Sequence, residues 1–189
     1  IKAGWADSSE TSAAYVIEQE NALYLSNDES APRDYVELPT MTVDMTGGFT
    51  IESWVRWDSI RYEAAIISLE NADGTQKLLV KANEWYWQLQ VTRYDNGSWT
   101  NITTVDDYMN PDIDEWIHVA VTISNTGAVK IYKNGEEVSV DSAALIPSIG
   151  IAEPLTKCYI GYAGDQAFDG MIDELRVWET ERSAADIKN

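Results

Sequence analysis

The chain has 189 residues with 32 acidic and 13 basic side chains, a formal net charge of −19. This excess of acid repels phosphate backbones and anionic lipid surfaces and excludes nucleic acid as a partner. Its single cysteine, Cys158, and single histidine, His118, exclude an intrachain disulfide framework, a Cys/Cys redox centre and zinc sites built from Cys and His.

No run of about 18 apolar residues occurs, so insertion into a membrane as a helix is excluded. The length suits one domain, residues 1–189, able to build its own core. The chain begins Ile1-Lys2-Ala3-Gly4, without an initiator methionine or an apolar signal core. It reads as a domain excised from a larger extracellular or cell-surface protein, a bacterial one on its acidity and lack of disulfides.

Short alternating segments then follow one another. They predict strands over Ala13–Ile17, Ala22–Leu25, Tyr35–Leu38, Phe49–Trp57, Ala64–Glu70, Gln76–Ala82, Trp85–Tyr94, Ser98–Thr104, Trp116–Ser124, Ala128–Lys133, Lys157–Tyr162 and Met171–Trp178. Asp73-Gly74, Asn96-Gly97, Thr126-Gly127 and Asn134-Gly135 supply residues that tolerate positive φ, and several of these turns are hairpins. The one credible helix is terminal, at Ser183-Ala184-Ala185-Asp186-Ile187, behind a capping serine. So many strands without covering helices need two sheets face to face, because a single sheet would leave one apolar face wet. The expected fold class is all-β, a two-sheet antiparallel jelly-roll sandwich with a short C-terminal helical turn.

Alternation divides each strand into a core face and an open face. In Trp85–Val91 the core set is Trp85, Trp87, Leu89 and Val91, and the open set is Tyr86, Gln88 and Gln90. In Phe49–Trp57 the open set includes Glu52, Trp54 and Arg56. Planar donors and acceptors beside a stacking ring are what a sugar surface needs, although a plain solvated sheet face is an equal reading. Eight tryptophans and ten tyrosines exceed what one core requires, and the hairpin carrying Tyr94 and Trp99 offers a second aromatic group at a loop rim. His118, beside Trp116, reads as a structural hydrogen-bonding group, and Cys158 as a buried small hydrophobe.

Asp165, Gln166, Asp169 and Asp173 fall within nine positions, and Asn71 with Asp73 occupies another turn. Hard oxygen donors of this kind suit calcium. Separately solvated acidic turns are the competing reading, and the spacing is not that of an EF-hand.

Four groups of segments together resemble the laminin G-like jelly-roll family of concanavalin A-like sandwiches. They are Asn21–Leu25 leading to Asp34–Pro39; Gly48–Val55; Glu115–Thr122 with Ile131–Gly135; and Tyr159–Gly161 with Phe168–Trp178. The resemblance implies a non-catalytic recognition domain of bacterial adhesins, glycoside hydrolases or sialidases, with glycans and sometimes proteins as ligands. It also implies Ca2+ held by Asp173 against Asn27, Asp28 or Asp34. The pattern of the pentraxin relatives instead implies Asp73, Asp165 and Gln166 as ligands, but Ala163-Gly164 stands where that pattern has a glutamate.

Catalysis is not expected. A retaining glycosidase of this kind needs two carboxyl groups about 5–5.5 Å apart, and no Glu-x-Asp sequence occurs. The Glu-x-Glu pairs at Glu18 and Glu179 lie near the chain ends, and Asp112-Ile113-Asp114 lies in a loop. The expected function is a calcium-containing carbohydrate-binding module, monomeric, using Trp54, Arg56, Tyr86 and Gln88 on the open face or Tyr94 and Trp99 at the rim. A calcium-dependent protein- or peptide-binding adhesion domain and a structural spacer are the alternatives.

Overall fold

Residues rich in β-branched and aromatic side chains, alternating at a period of two, pair into sheets almost wherever that pattern occurs. The computed structural model describes residues 15–17, 22–27, 33–60, 64–83, 88–104, 113–140, 146, 151, 154–164 and 166–188. Its strands are β1 (Tyr15–Ile17), β2 (Ala22–Leu25), β3 (Val36–Leu38), β4 (Phe49–Ser59), β5 (Ala65–Glu70), β6 (Gln76–Asn83), β7 (Gln88–Asp95), β8 (Ser98–Thr103), β9 (Ile117–Ile123), β10 (Val129–Lys133), β11 (Glu136–Val138), β12 (Cys158–Ile160), β13 (Tyr162–Ala163), β14 (Gln166–Ala167) and β15 (Asp169–Trp178). A seven-stranded sheet runs β1-β2-β15-β4-β9-β10-β11, a six-stranded sheet runs β3-β12-β5-β6-β7-β8, and β13 pairs with β14. All pairings are antiparallel. The fold is therefore the expected all-β jelly-roll sandwich.

The turn chemistry acts where the sequence puts it. Asn96-Gly97 joins β7 to β8 with φ of 46° and 94°, and Asn134-Gly135 joins β10 to β11 with φ of 51° and 80°, the paired positive angles of a tight hairpin. The segment predicted as one strand over Lys157–Tyr162 breaks at Gly161. Its φ is +80°, and an added Cβ would stand 2.1 Å from Leu25 Cδ1, so only glycine lets the chain bend there against β2.

Between the sheets, Phe49, Ile51, Val55 and Trp57 of β4 and Ile117, Val119, Val121 and Ile123 of β9 meet Ile67, Leu69, Leu78, Val80, Leu89, Val91 and Ile160 in one core. Each aliphatic side chain so buried contributes roughly 2 kcal/mol. Cys158 is buried among them.

The outward face of the seven-stranded sheet is half covered. The chain after β15 folds back over it and ends in α1 (Ala184–Ile187), capped by a reciprocal Ser183–Asp186 box. Thr50 Oγ1 donates to the Thr180 carbonyl at 2.7 Å and accepts from the Arg182 amide at 2.9 Å. Arg182 Nη1 donates to both carboxylate oxygens of Glu52 at 2.7 and 2.6 Å, Trp178 Nε1 donates to Glu52 at 3.0 Å, and Ile187 packs on Ala120 and Tyr132. Glu52, read from parity as part of an open face, is therefore 1% exposed. Among the described residues no helix is long and apolar enough to cross a membrane.

Candidate functional site

Each sheet offers an outward surface, and the residues expected to share one open face are divided between them. Trp54 and Arg56 project from β4 of the seven-stranded sheet, whereas Gln88 belongs to β7 of the six-stranded sheet. They lie on opposite sides of the molecule. Parity sorts residues within a strand but does not say which sheet a strand joins, and that is why the sequence reading merged them. Tyr86 lies outside the described residues.

On the six-stranded sheet the outward positions follow from register. Tyr159, Ser68, Leu79, Thr92 and Asn101 form one row across β12, β5, β6, β7 and β8. Glu70, Lys77, Tyr94 and Trp99 form the next. Gln90 and Thr103 stand opposite each other on the far side of the first row. Gln88 is on this face but buried, at 8% exposure, and Trp99 is the most exposed large hydrophobic residue among the described ones, at 57%.

Trp99 packs against its cross-strand partner Tyr94 with ring centroids 4.5 Å apart, the pair that the hairpin register dictates. Beside them Thr92 Oγ1 donates to Asn101 Oδ1 at 2.8 Å. That bond occupies the amide oxygen of Asn101 and leaves its NH2 group as a donor at an exposed position.

At the other side of this face Tyr35 stacks on Tyr162 with centroids 4.8 Å apart, and Tyr159 meets both edge-on at 5.6 Å. Burial is the main cause that raises the Tyr159 hydroxyl pKa, with Glu37 and Glu70 adding to it. Sequence reasoning missed this tyrosine group because Tyr35 lies far in sequence from Tyr159 and Tyr162, and the bend at Gly161 that sets Tyr162 beside Tyr159 reads in the sequence as continuous strand. The outward strand carboxylates here are Glu37 and Glu70 among the described residues, and two strand spacings plus two residues put them about 12 Å apart. Glu70 is paired with Lys77 at 3.0 Å.

On the seven-stranded sheet, Trp54 faces His118 on β9 and Asp173 on β15. It is 39% exposed and, with Trp116, Asp173 and Glu174, lines an open surface depression of about 530 Å3. A bulge between Asp173 and Arg176 places Glu174 at φ +48° and re-aims the strand at the depression's edge. The His118 ring lies 5.3 Å from that of Trp54, and its pKa is lowered chiefly by burial, against the opposing charge of Glu52. Arg56 stands apart as a half-buried ion-pair residue, 3.1 Å from Asp58 and 3.8 Å from Asp114.

The oxygen donors are arranged differently from the expected set. β15 pairs with β2 so that Gly170 stands opposite Leu25. This brings Asp169, not Asp173, to the loop after β2, where Asp169 Oδ1 accepts from the Asn27 amide at 3.3 Å and Asp34 Oδ2 accepts from the Ser26 amide at 3.2 Å. Asp173 lies four residues further along β15, roughly 13 Å away by strand rise, with Oδ1 taken by the Glu174 amide at 2.7 Å. It does not meet Asp34. Gly170 permits the close approach of β15 to β4, since a Cβ there would lie 2.1 Å from the Arg56 carbonyl oxygen.

Asp73 is an exposed turn residue whose carboxylate accepts from the Thr75 hydroxyl and amide at 2.6 and 3.0 Å, and these bonds hold its pKa down. Asp28, Asp165 and the Gln166 side chain lie outside the described residues. Among the described residues no three His, Cys, Asp or Glu side chains are grouped to hold a metal ion.

Comparison with known proteins agrees with this geometry at the level of fold. Domain 4 of AbnA, a GH43 extracellular arabinanase from Geobacillus stearothermophilus, solved in complex with arabinotriose, superposes with a TM-score of 0.70 at 19% identity, over 95% of this chain and 80% of that one. The binding domain of botulinum neurotoxin DC, in complex with rat synaptotagmin II, superposes with a TM-score of 0.68 at 16% identity, over 94% of this chain and 44% of that one. In sequence, botulinum neurotoxin type F from Clostridium botulinum is 26% identical over 151 residues, which are 74% of this chain and 11% of the toxin. The chain thus spans about a tenth of the length of that curated relative. A laminin G family model described as the concanavalin A-like lectin/glucanases superfamily matches residues 28–188, and the chain belongs to that superfamily.

Proposed function

We propose that this chain is a non-catalytic carbohydrate-binding module, and that it holds a neutral oligosaccharide on the outward face of the six-stranded sheet. The observation that carries the reading is the Tyr94–Trp99 pair, with Trp99 57% exposed on the same face as the side-chain amides of Asn101 and Gln90. An exposed indole backed by a second ring presents a rigid apolar platform for the C–H face of a sugar, and flanking amides meet its hydroxyls. The tyrosine group of Tyr35, Tyr159 and Tyr162 stands about 15–20 Å across the sheet from it, a span that suits an oligosaccharide better than a single sugar. The arabinotriose held by the arabinanase domain of similar fold supports this reading.

The module acts outside the cell as a monomeric unit of a larger protein. Calcium belongs to the proposal at the end of β2, where the Asp34 and Asp169 carboxylates and the Asn27 side chain supply hard oxygen donors suited to it. Binding is tested by affinity electrophoresis of the parent chain and Trp99→Ala on a panel of neutral polysaccharides, arabinan included. Retardation of the parent by at least one polysaccharide, lost in the variant, is the expected result. If the parent migrates freely on every gel, the reading fails and a protein ligand, such as the synaptotagmin held by the toxin domain, takes its place.

A further inference from the structure

The depression on the seven-stranded sheet plays no part in the function proposed above, and it differs from the Tyr94–Trp99 surface in one chemical respect. Both of its non-aromatic lining residues are carboxylates, Asp173 and Glu174, set beside two indoles, Trp54 and Trp116. Trp54 is unusual for its place. It projects from β4, a central strand of the sheet, where the outward neighbours Thr50, Glu52, Ala120 and Thr122 are at most 1% exposed, yet it is itself 39% exposed. The C-terminal segment that covers those neighbours leaves this part of the sheet open.

Among the described residues the charges around the depression are unbalanced. Arg176 donates to Glu174 at 2.8 Å and also lies 3.7 Å from buried Glu52, so its one positive charge faces two carboxylates. Arg182 is held by Glu52, and Arg56 by Asp58 and Asp114. His118 is pushed toward its neutral form by burial. Asp173 accepts the Glu174 amide on one oxygen, and its other oxygen has no donor among the described residues. An indole surface next to an uncompensated carboxylate attracts a cation with an apolar body, through the ring quadrupole and the charge together.

We infer that this depression is a second binding site, and that its ligand is an amino sugar: a pyranose whose C–H face lies on Trp54 while the ammonium substituent on its ring carbon pairs with Asp173. Anionic sugars are turned away by the same two carboxylates. A neutral sugar stacks equally well on the indole but leaves the Asp173 charge unanswered. The site stands on a different sheet from Trp99, so it can fail while the first proposal holds, and the reverse.

The test is isothermal titration of the intact chain near pH 6, where a sugar amine is protonated, with the β-1,4-linked glucosamine trimer, its N-acetylated counterpart and Nα-acetyl-lysine amide. The glucosamine trimer is expected to bind, and the N-acetylated trimer to bind at least tenfold more weakly. Trp54→Ala and Asp173→Asn should each lose tenfold or more, with Trp99→Ala unchanged. Unaltered melting temperatures in both site variants tie those losses to the site and not to folding. Binding that survives Trp54→Ala is diffuse attraction to an acidic protein and overturns the inference. Equal binding of the N-acetylated trimer overturns it by removing the role of the charge. Lysine amide binding as tightly as the glucosamine trimer overturns the sugar assignment, and absence of binding by the glucosamine trimer overturns the site.

Discussion

Glu52 and Trp54 project from the same face of β4, two positions apart, yet Glu52 is 1% exposed and Trp54 is 39% exposed. The boundary between them is the edge of the C-terminal segment, whose Arg182, with Trp178 at the end of β15, closes over the carboxylate. One half of the sheet face is thus turned into a secondary packing surface and the other half is left open as a depression. The next three predictions test that division.

Arg182→Ala leaves the Glu52 charge buried with only Trp178 donating to it and Arg176 and His118 at 3.7 and 4.0 Å. Breaking one side of a buried pair costs about 3 kcal/mol. Urea denaturation should show a loss of that size, and Glu52→Gln combined with Arg182→Met should recover part of it. A loss below about 0.5 kcal/mol, the scale of an exposed pair, would mean that the segment does not seal the face.

Ile187 is the buried residue of α1 and sits on Ala120 and Tyr132. Ile187→Ala should cost about 2 kcal/mol, the low end for an aliphatic side chain cut to alanine, because Ile187 belongs to the small Ala120–Tyr132 cluster and not to the main core. Thermal unfolding reads this directly, and a change of melting temperature within error contradicts the packing described.

His118 has a pKa below the ordinary histidine value because it is buried, with Glu52 opposing the shift and Arg176 and Arg182 adding to it. The unfolded chain therefore binds more protons at this ring than the folded chain does, and stability rises with pH. The contribution is complete above about pH 6.5 and is lost as pH falls from there through the folded value. The melting temperature of the parent should fall more steeply between pH 7 and pH 5 than that of His118→Gln. Parallel slopes would remove His118 from the account.

The all-β class, the hairpins at Asn96-Gly97 and Asn134-Gly135 and the core parity of β4 and β9 were legible because each depends on residues close together in the chain. What failed depends on partners far apart. Trp54 and Gln88 share an outward parity, but sheet membership is decided by long-range pairing. Asp173 is what the resemblance implies, whereas the register of β2 against β15, which brings Asp169 to the Asn27 loop, cannot be read from either strand alone. The burial of Glu52 follows from Arg182, 130 positions later, and nothing near Glu52 announces it.

Calcium at the Asn27, Asp34 and Asp169 end would stabilise the folded chain by mass action. Thermal unfolding in millimolar calcium and in chelator should differ by several degrees, and Asp169→Asn should abolish the difference while Asp173→Asn keeps it. Coincident curves for the parent would remove calcium from the proposal.

Trp99 touches its sheet on one side only, so Trp99→Ala should change stability by no more than about 0.5 kcal/mol, while Tyr94→Phe keeps the ring and keeps binding. The most direct measurement is a calorimetric titration of the neutral oligosaccharide that the panel selects into the parent chain, Trp99→Ala and Trp54→Ala. The account predicts saturable binding by the parent, a loss of tenfold or more in Trp99→Ala and full retention in Trp54→Ala. Undiminished affinity in Trp99→Ala would contradict it and move the sugar off the six-stranded sheet.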